Sequence, residues 1–152
     1  MVIETEPKAQ IFSLKTPLLA KGGTNNVVVD SDLLWIWVKV YAEGGENFLH
    51  KHVTEDHAFV ILDGQATFHD KDGNDTVLNK YHGIFLPRGT YYSFTSTGAG
   101  PLVLLRVGAG KDGTGYGENR EWFPGVVDTR AAYGSRAEPI PGKFFGEDPD
   151  GH

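Results

Sequence analysis

From Val27 to Val107 the chain is a succession of short runs rich in Val, Ile, Leu, Phe, Trp and Tyr, each closed by Gly, Pro, Asn, Asp or Ser. The turns recur about every 8 to 12 residues, and no stretch between them makes a convincing helix. A chain with this rhythm is expected to fold as antiparallel strands in a sandwich or barrel, because each half-buried strand needs a second sheet over its apolar face. Leu33 to Ala42 carries the strongest strand signal. Ile36, Val38 and Val40 share one face, with Trp35, Trp37, Lys39 and Tyr41 on the other. Both faces therefore read as buried for much of the strand's length.

Further strands are expected at Val27–Val29, Gln65–His69, Thr76–Leu78, Ile84–Leu86, Tyr91–Thr95 and Leu102–Val107. Asp70-Lys71-Asp72-Gly73-Asn74-Asp75 reads as a hairpin connection. It lacks the spacing and closing Glu of a calcium loop. At the start, the apolar piece Ile11–Leu14, then Thr16-Pro17 and Gly22-Gly23, predicts one or two edge strands with irregular connections. The 45 residues from Gly108 onwards hold ten of the 20 glycines and four of the eight prolines. Gly108, Gly110 and Gly113 match a dinucleotide fingerprint literally, but that motif must open a helix, and Thr114-Gly115-Tyr116-Gly117 does not continue as one. Trp122, Phe123, Phe144 and Phe145 are too apolar for a free tail. The expectation is a barrel over residues 1–108. A mostly irregular arm over 109–152 would pack on that barrel or on a partner subunit, with one short helix at Asp128–Ser135 and a frayed end from Glu147.

Composition removes several classes of function. A length of 152 residues suits one domain with a real core. A net charge of −6 with scattered Lys and Arg argues against nucleic acid as a partner. The absence of cysteine excludes disulfides, thiolate metal sites and Cys nucleophiles. With no apolar stretch near 18 residues and no signal peptide, no membrane association is expected and the reading is a soluble, cytoplasmic protein. Asn74-Asp75-Thr76 matches a glycosylation sequon but is read as a turn.

Three of the six histidines, His50, His52 and His57, lie within eight positions. In a strand, His50 and His52 point to one face about 6.6 Å apart along the backbone. Two imidazoles at that spacing can reach one ion at roughly 2.0 to 2.1 Å per nitrogen. After the polar Val53-Thr54-Glu55-Asp56, His57 opens the β-rich run Ala58–Leu62 and can return to the same point from a neighbouring strand. Glu55, on the same face two residues earlier, offers a carboxylate for a two-histidine, one-carboxylate set instead. The plain alternative is a set of buried, hydrogen-bonded polar residues without metal, which three imidazoles in register make harder to satisfy. His82 reads as a strand-end residue, with a fourth ligand or proton carrier as its alternative, and His69 reads as solvated. Phe48, Phe59, Ile61, Phe85, Phe94 and Leu104 read as core or pocket wall. Tyr41 and Trp37 belong to core or pocket mouth. Lys39 and Arg106 read as solvated rim residues, contact with an anionic substrate group being the alternative.

The order Gly44, His50, His52, His57, Gly64 resembles the first motif of the cupin superfamily at every interval. Pro87-Arg88-Gly89 followed by Tyr92 resembles the second motif in part. The resemblance spans about Gly44 to Phe94, and it implies a double-stranded β-helix, or jelly-roll barrel, holding one divalent transition metal: Fe, Zn, Mn or Ni. Two positions depart from the family pattern, with His57 in place of Glu and Tyr92 in place of His. Exchanging a carboxylate for a neutral imidazole is expected to leave the site one unit more positive and a stronger Lewis acid. Tyr92 then has three candidate roles: a phenolate ligand, if its pKa falls far below about 10; a neutral proton donor; or filling of the barrel. The resemblance implies an enzyme acting on a small organic molecule, and the aromatic wall favours an aromatic or diketone-like one. A dioxygenase is the first reading. A zinc, manganese or nickel isomerase, lyase or cyclase is the second, and a non-catalytic small-molecule-binding cupin the third. A homodimer formed by sheet extension or arm exchange is expected from the need to protect strand edges.

Overall fold

The computed structural model of the chain describes residues 5–43, 47–110, 119–127 and 136–148. Its strands are β1 (Thr16–Lys21), β2 (Gly23–Asp30), β3 (Leu34–Tyr41), β4 (His50–His52), β5 (Asp56–Asp63), β6 (Gln65–His69), β7 (Asp75–Asn79), β8 (Gly83–Leu86), β9 (Ser93–Ser96), β10 (Leu102–Ala109), β11 (Arg120–Trp122) and β12 (Glu138–Phe145). No helix occurs among the described residues, so none is long and apolar enough to cross a membrane.

A five-stranded sheet in the order β2-β3-β10-β5-β8 forms one wall of the barrel, and β7-β6-β9 forms the other. All pairings within them are antiparallel. Between the walls lies a core of Tyr41, Phe59, Ile61, Phe68, Phe94 and Leu104 with their neighbours, drawn from β3, β5 and β10 on one side and β6 and β9 on the other. These are the inward positions of a period of two, which is why alternate residues on each strand are apolar. A second cluster, with Leu19, Val38, Val40 and Val103 at its centre, sits on the outer face of the five-stranded sheet and is covered by Leu14, Leu18 and Phe145. β1 and β12 pair with each other over that face. The double burial expected for β3 follows from this arrangement, since Trp35 and Val38 on its opposite faces are each 1% exposed.

The β5–β6 turn depends on one glycine. Gly64 has φ +81°, and a Cβ there would stand 2.6 Å from the Pro101 carbonyl oxygen. The Asp70 connection is a closed hairpin turn, whose carboxylate accepts hydrogen bonds from the backbone N–H groups of Asp72 and Asn74 and from Asn74 Nδ2.

Two expectations need correction. Ile11–Leu14 forms no strand, because no strand edge pairs with it; Ile11 is fully exposed, and Leu14 packs on the second cluster. Phe85 is 63% exposed, because its side of β8 faces outward. Within the C-terminal stretch, β11 pairs with β4 and β12 with β1, so these described segments pack on the chain's own strands. The helix expected at Asp128–Ser135, like Gly44 and the second half of the Gly108–Gly113 fingerprint, lies outside the described residues.

Candidate metal centre

β4 is only three residues long and is held from both sides. On one edge the His50 N–H donates to the Tyr92 carbonyl at 3.0 Å, and the Tyr92 N–H donates back at 2.8 Å. On the other edge β11 pairs Trp122 with His50 and Arg120 with His52. The alternation buries His50 and His52 and turns Lys51 outward to Glu121, 3.4 Å away. The first motif, complete in its spacing, and the partial second one thus meet through a backbone bridge between His50 and Tyr92.

His57 enters from β5, opposite Gly108 of β10, which in turn lies opposite Trp35 of β3. A Cβ on Gly108 would fall 1.9 Å from Trp35 Cζ2. Only a residue without a side chain lets the indole lie flat across the strand there, and this brings Trp35 edge-on to His57, 5.1 Å between centroids. One register step away, Arg106 is flanked by Trp37 and Phe59. Its guanidinium carbon lies 4.8, 5.2 and 5.9 Å from the rings of Trp35, Trp37 and Phe59, so aromatic faces cage the cation.

Each imidazole has one ring nitrogen committed to an acceptor. His50 Nδ1–H donates to the Phe48 carbonyl at 2.6 Å, His52 Nδ1–H to Asn119 Oδ1 at 3.2 Å, and His57 Nε2–H to Glu55 Oε2 at 3.0 Å. These bonds fix the tautomers and leave His50 Nε2, His52 Nε2 and His57 Nδ1 as lone-pair donors. Arg106 Nη2 donates to both His52 Nε2 and His57 Nδ1, each at 3.3 Å. Those two lone pairs therefore converge on one point. One ligand atom from each of His52, Glu55 and His57 lies within 4.8 Å of the other two. His50 stands beside His52 at 5.2 Å between ring centroids, outside that trio.

Burial sets the protonation states. It lowers His50 to about 4 against the raising effect of its hydrogen bond to the Phe48 carbonyl, and lowers His57 to about 2 with help from Arg106. His52 is pushed well below the usual imidazole range, by burial first and then by His57 and Arg106. All three are neutral at pH 7, so His57 and Glu55 form a neutral donor–carboxylate hydrogen bond despite their ion-pair distance. Burial raises the Tyr92 hydroxyl above the usual phenol value, keeping it neutral among Phe59, Phe68 and His50. That environment disfavours the phenolate role.

Lys39 and Arg106, read from the sequence as rim residues, are 7% and 9% exposed and lie inside. Lys39 sits 5.1 Å from the Tyr41 ring centroid. Both occupy inward positions on β3 and β10, a placement that the alternation of Leu102, Leu104 and Arg106 already encodes. Glu55, weighed as the alternative carboxylate, is 1% exposed and returns a negative charge to a site expected to lack one. The positive balance there comes instead from the two buried cations. His82 is exposed and accepts from the Asn79 N–H in the turn before β8, away from the other histidines. His69 pairs with Asp75 at 2.6 Å and lies 3.2 Å from Thr95 Oγ1. Asn119, which orients His52, carries no sequence signal; it lies 67 positions away, and only the pairing of β11 with β4 brings it in. An open cleft of about 430 Å³ at the other end of the barrel, bordered by Leu19, Ala42, Pro101 and Ile140, holds none of these groups.

Two facing antiparallel sheets around an apolar core are the architecture of the double-stranded β-helix class. The cupin domain family model matches residues 37–108. The crystal structure of a conserved protein with a double-stranded β-helix domain from Klebsiella pneumoniae superposes with a TM-score of 0.62 at 19% identity, covering 74% of this chain and 93% of that one. The cupin domain of Schizosaccharomyces pombe Cnp3 superposes at 0.55 and 19% identity, covering 61% and 68%. A cupin superfamily protein of Desulfitobacterium hafniense does so at 0.51 and 18%, covering 59% and 78%. No curated protein matches the sequence. Residues 37–108 carry a cupin domain, and the chain has the double-stranded β-helix fold.

Proposed function

We propose that this cupin is a metal-dependent enzyme acting on a small organic substrate, with a dioxygenase reaction as the first reading. The observation that carries the proposal is the set of neutral imidazoles whose outer N–H groups are tied to Phe48, Asn119 and Glu55. That pattern of outer hydrogen bonds is the one that orients histidines as metal ligands. His52 Nε2 and His57 Nδ1 share one point, Glu55 holds the far nitrogen of His57, and His50 stands as an adjacent imidazole. The donor set therefore fits a divalent transition metal. When bound, such a metal supplies Lewis acidity and, as iron, redox chemistry with O2.

The chain's own residues would do the rest. Asn119 and Glu55 hold the rings of His52 and His57 in one tautomer. Trp35, Trp37, Phe59 and Trp122 wall the mouth, exclude water and suit an aromatic or diketone-like substrate. Tyr92, neutral and packed against His50 at 4.6 Å between centroids, is positioned as a proton donor. That neutral phenol is also what supports the second reading, an isomerase, lyase or cyclase using Zn, Mn or Ni. Metal analysis of the purified protein, followed by an oxygen-consumption screen on catechols, hydroxyketones and diketones, separates the two. Iron-dependent O2 uptake supports the dioxygenase; iron-free protein that is active with zinc and uses no O2 overturns it.

A further inference from the structure

Arg106 Nη2 sits where the His52 and His57 lone pairs converge, which is the place a metal held by those two residues would take. A guanidinium and a metal ion cannot share that point. Arg106 Nε, moreover, is buried without a hydrogen-bond partner, an arrangement that leaves a charged donor unsatisfied. The buried charged residues among those described are Lys39, Arg106 and Glu55, two cations against one carboxylate. A divalent metal placed beside this guanidinium would set like charges against each other in a poorly hydrated interior, which is strongly unfavourable. Metal entry therefore calls for two changes, the withdrawal of Arg106 from the histidines and the arrival of an anion.

The chemistry of Arg106 identifies that anion. A planar guanidinium matches a carboxylate through two parallel N–H donors, and a buried, aromatic-flanked guanidinium is well suited to that pairing. The faces of Trp35, Trp37 and Phe59 around it would take the apolar or aromatic body to which the carboxylate is attached. We propose that Arg106 is a displaceable internal cation: it occupies the histidine lone pairs when no metal is bound, yields them to the metal, and then receives the carboxylate of a small organic acid. Metal and acid consequently bind cooperatively, each favouring the arrangement the other needs. This inference rests on the metal-site reading and narrows its substrate to organic acids.

The test is a cobalt(II) titration, followed by calorimetry and visible absorption, on the wild-type protein and Arg106→Met, each with and without sodium benzoate. The proposal expects benzoate to tighten cobalt binding at least tenfold in the wild type. It expects Arg106→Met to bind cobalt at least tenfold more tightly than the wild type without benzoate, and to gain nothing when benzoate is added. Equal or weaker cobalt binding by Arg106→Met, or an identical benzoate effect in both proteins, overturns the role of Arg106 while leaving the metal site standing. Cobalt binding to neither protein removes the metal site itself and the inference with it. If circular dichroism shows Arg106→Met unfolded, Arg106→Gln replaces it with the same expectations. If both variants are unfolded, the wild-type response decides, and no tightening by benzoate overturns the proposal.

Discussion

Along β10 the inward-facing residues run Leu102, Leu104, Arg106 and Gly108; along β5, in the opposite direction, they run Ile61, Phe59 and His57; along β3, Tyr41, Lys39, Trp37 and Trp35. The same three strands thus line an apolar end of the barrel and a polar one. At the apolar end Phe59, Ile61, Phe94, Leu102 and Leu104 are each 1% exposed or less and need nothing from one another but contact. At the polar end every buried group needs a particular partner: His52 needs Asn119, His57 needs Glu55, and both imidazoles face Arg106. Shape alone holds the first end together. The second is held by hydrogen-bond accounting, and part of that account is supplied from outside the barrel strands, by Asn119 just before β11. The difference teaches that fold and site can be damaged separately.

The sharpest way to break this separation is Phe94→Ala at the apolar end. It is expected to cost about 3 to 5 kcal/mol in urea unfolding, while metal affinity of the folded protein stays within about twofold. A collapse of metal affinity would show that the two ends are not independent. His52→Ala tests the converse, with metal affinity falling by at least about 100-fold. The metal-free fold should lose only about 1 to 3 kcal/mol, from the partners left unsatisfied. Asn119→Ala is a milder form of the same test. It should lower metal affinity about tenfold, measured by competition with a chelator, and an unchanged affinity would remove Asn119 from the site.

Acid should find the polar end first. The folded-state pKa values of His50 and His57 lie at about 4 and about 2, below the ordinary 6.5. Between pH 6.5 and 4 the unfolded chain therefore binds protons that the folded chain does not. Stability is full above pH 6.5 and declines as pH falls through that window. Unfolding of metal-free wild type as a function of pH should show this slope, and His50→Gln should flatten it; parallel curves would contradict the assignment. The smallest effect is expected for Phe85→Ser on the exposed face of β8, within about 0.5 kcal/mol of the wild type.

Much of this was legible in the chain. The period of two made β3 and the His50–His52 pair readable, because both depend on neighbours one or two positions away. The Asp70 hairpin was readable for the same reason, its carboxylate being closed onto residues two and four positions ahead. Arg106 and Lys39 were misread because a single strand does not reveal which face a barrel closes over, and the general preference of cations for solvent outweighed their apolar neighbours at i±2. Glu55 was visible as a nearby carboxylate, but its hydrogen bond to His57 depends on how the loop before β5 folds back. Asn119 was beyond sequence reasoning altogether, since its position depends on a strand pairing across 67 residues. Ile11–Leu14 shows the reverse failure, in which composition fits a strand and no partner edge meets it.

The central claim is that the imidazoles of His52 and His57 converge on a cation-binding point beside Glu55. The most direct measurement is anomalous diffraction from crystals grown with manganese or cobalt. An anomalous peak within bonding distance of His52 and His57, with Arg106 turned away from both rings, is the predicted result. No peak there, with Arg106 still donating to both histidines at saturating metal, would contradict the account.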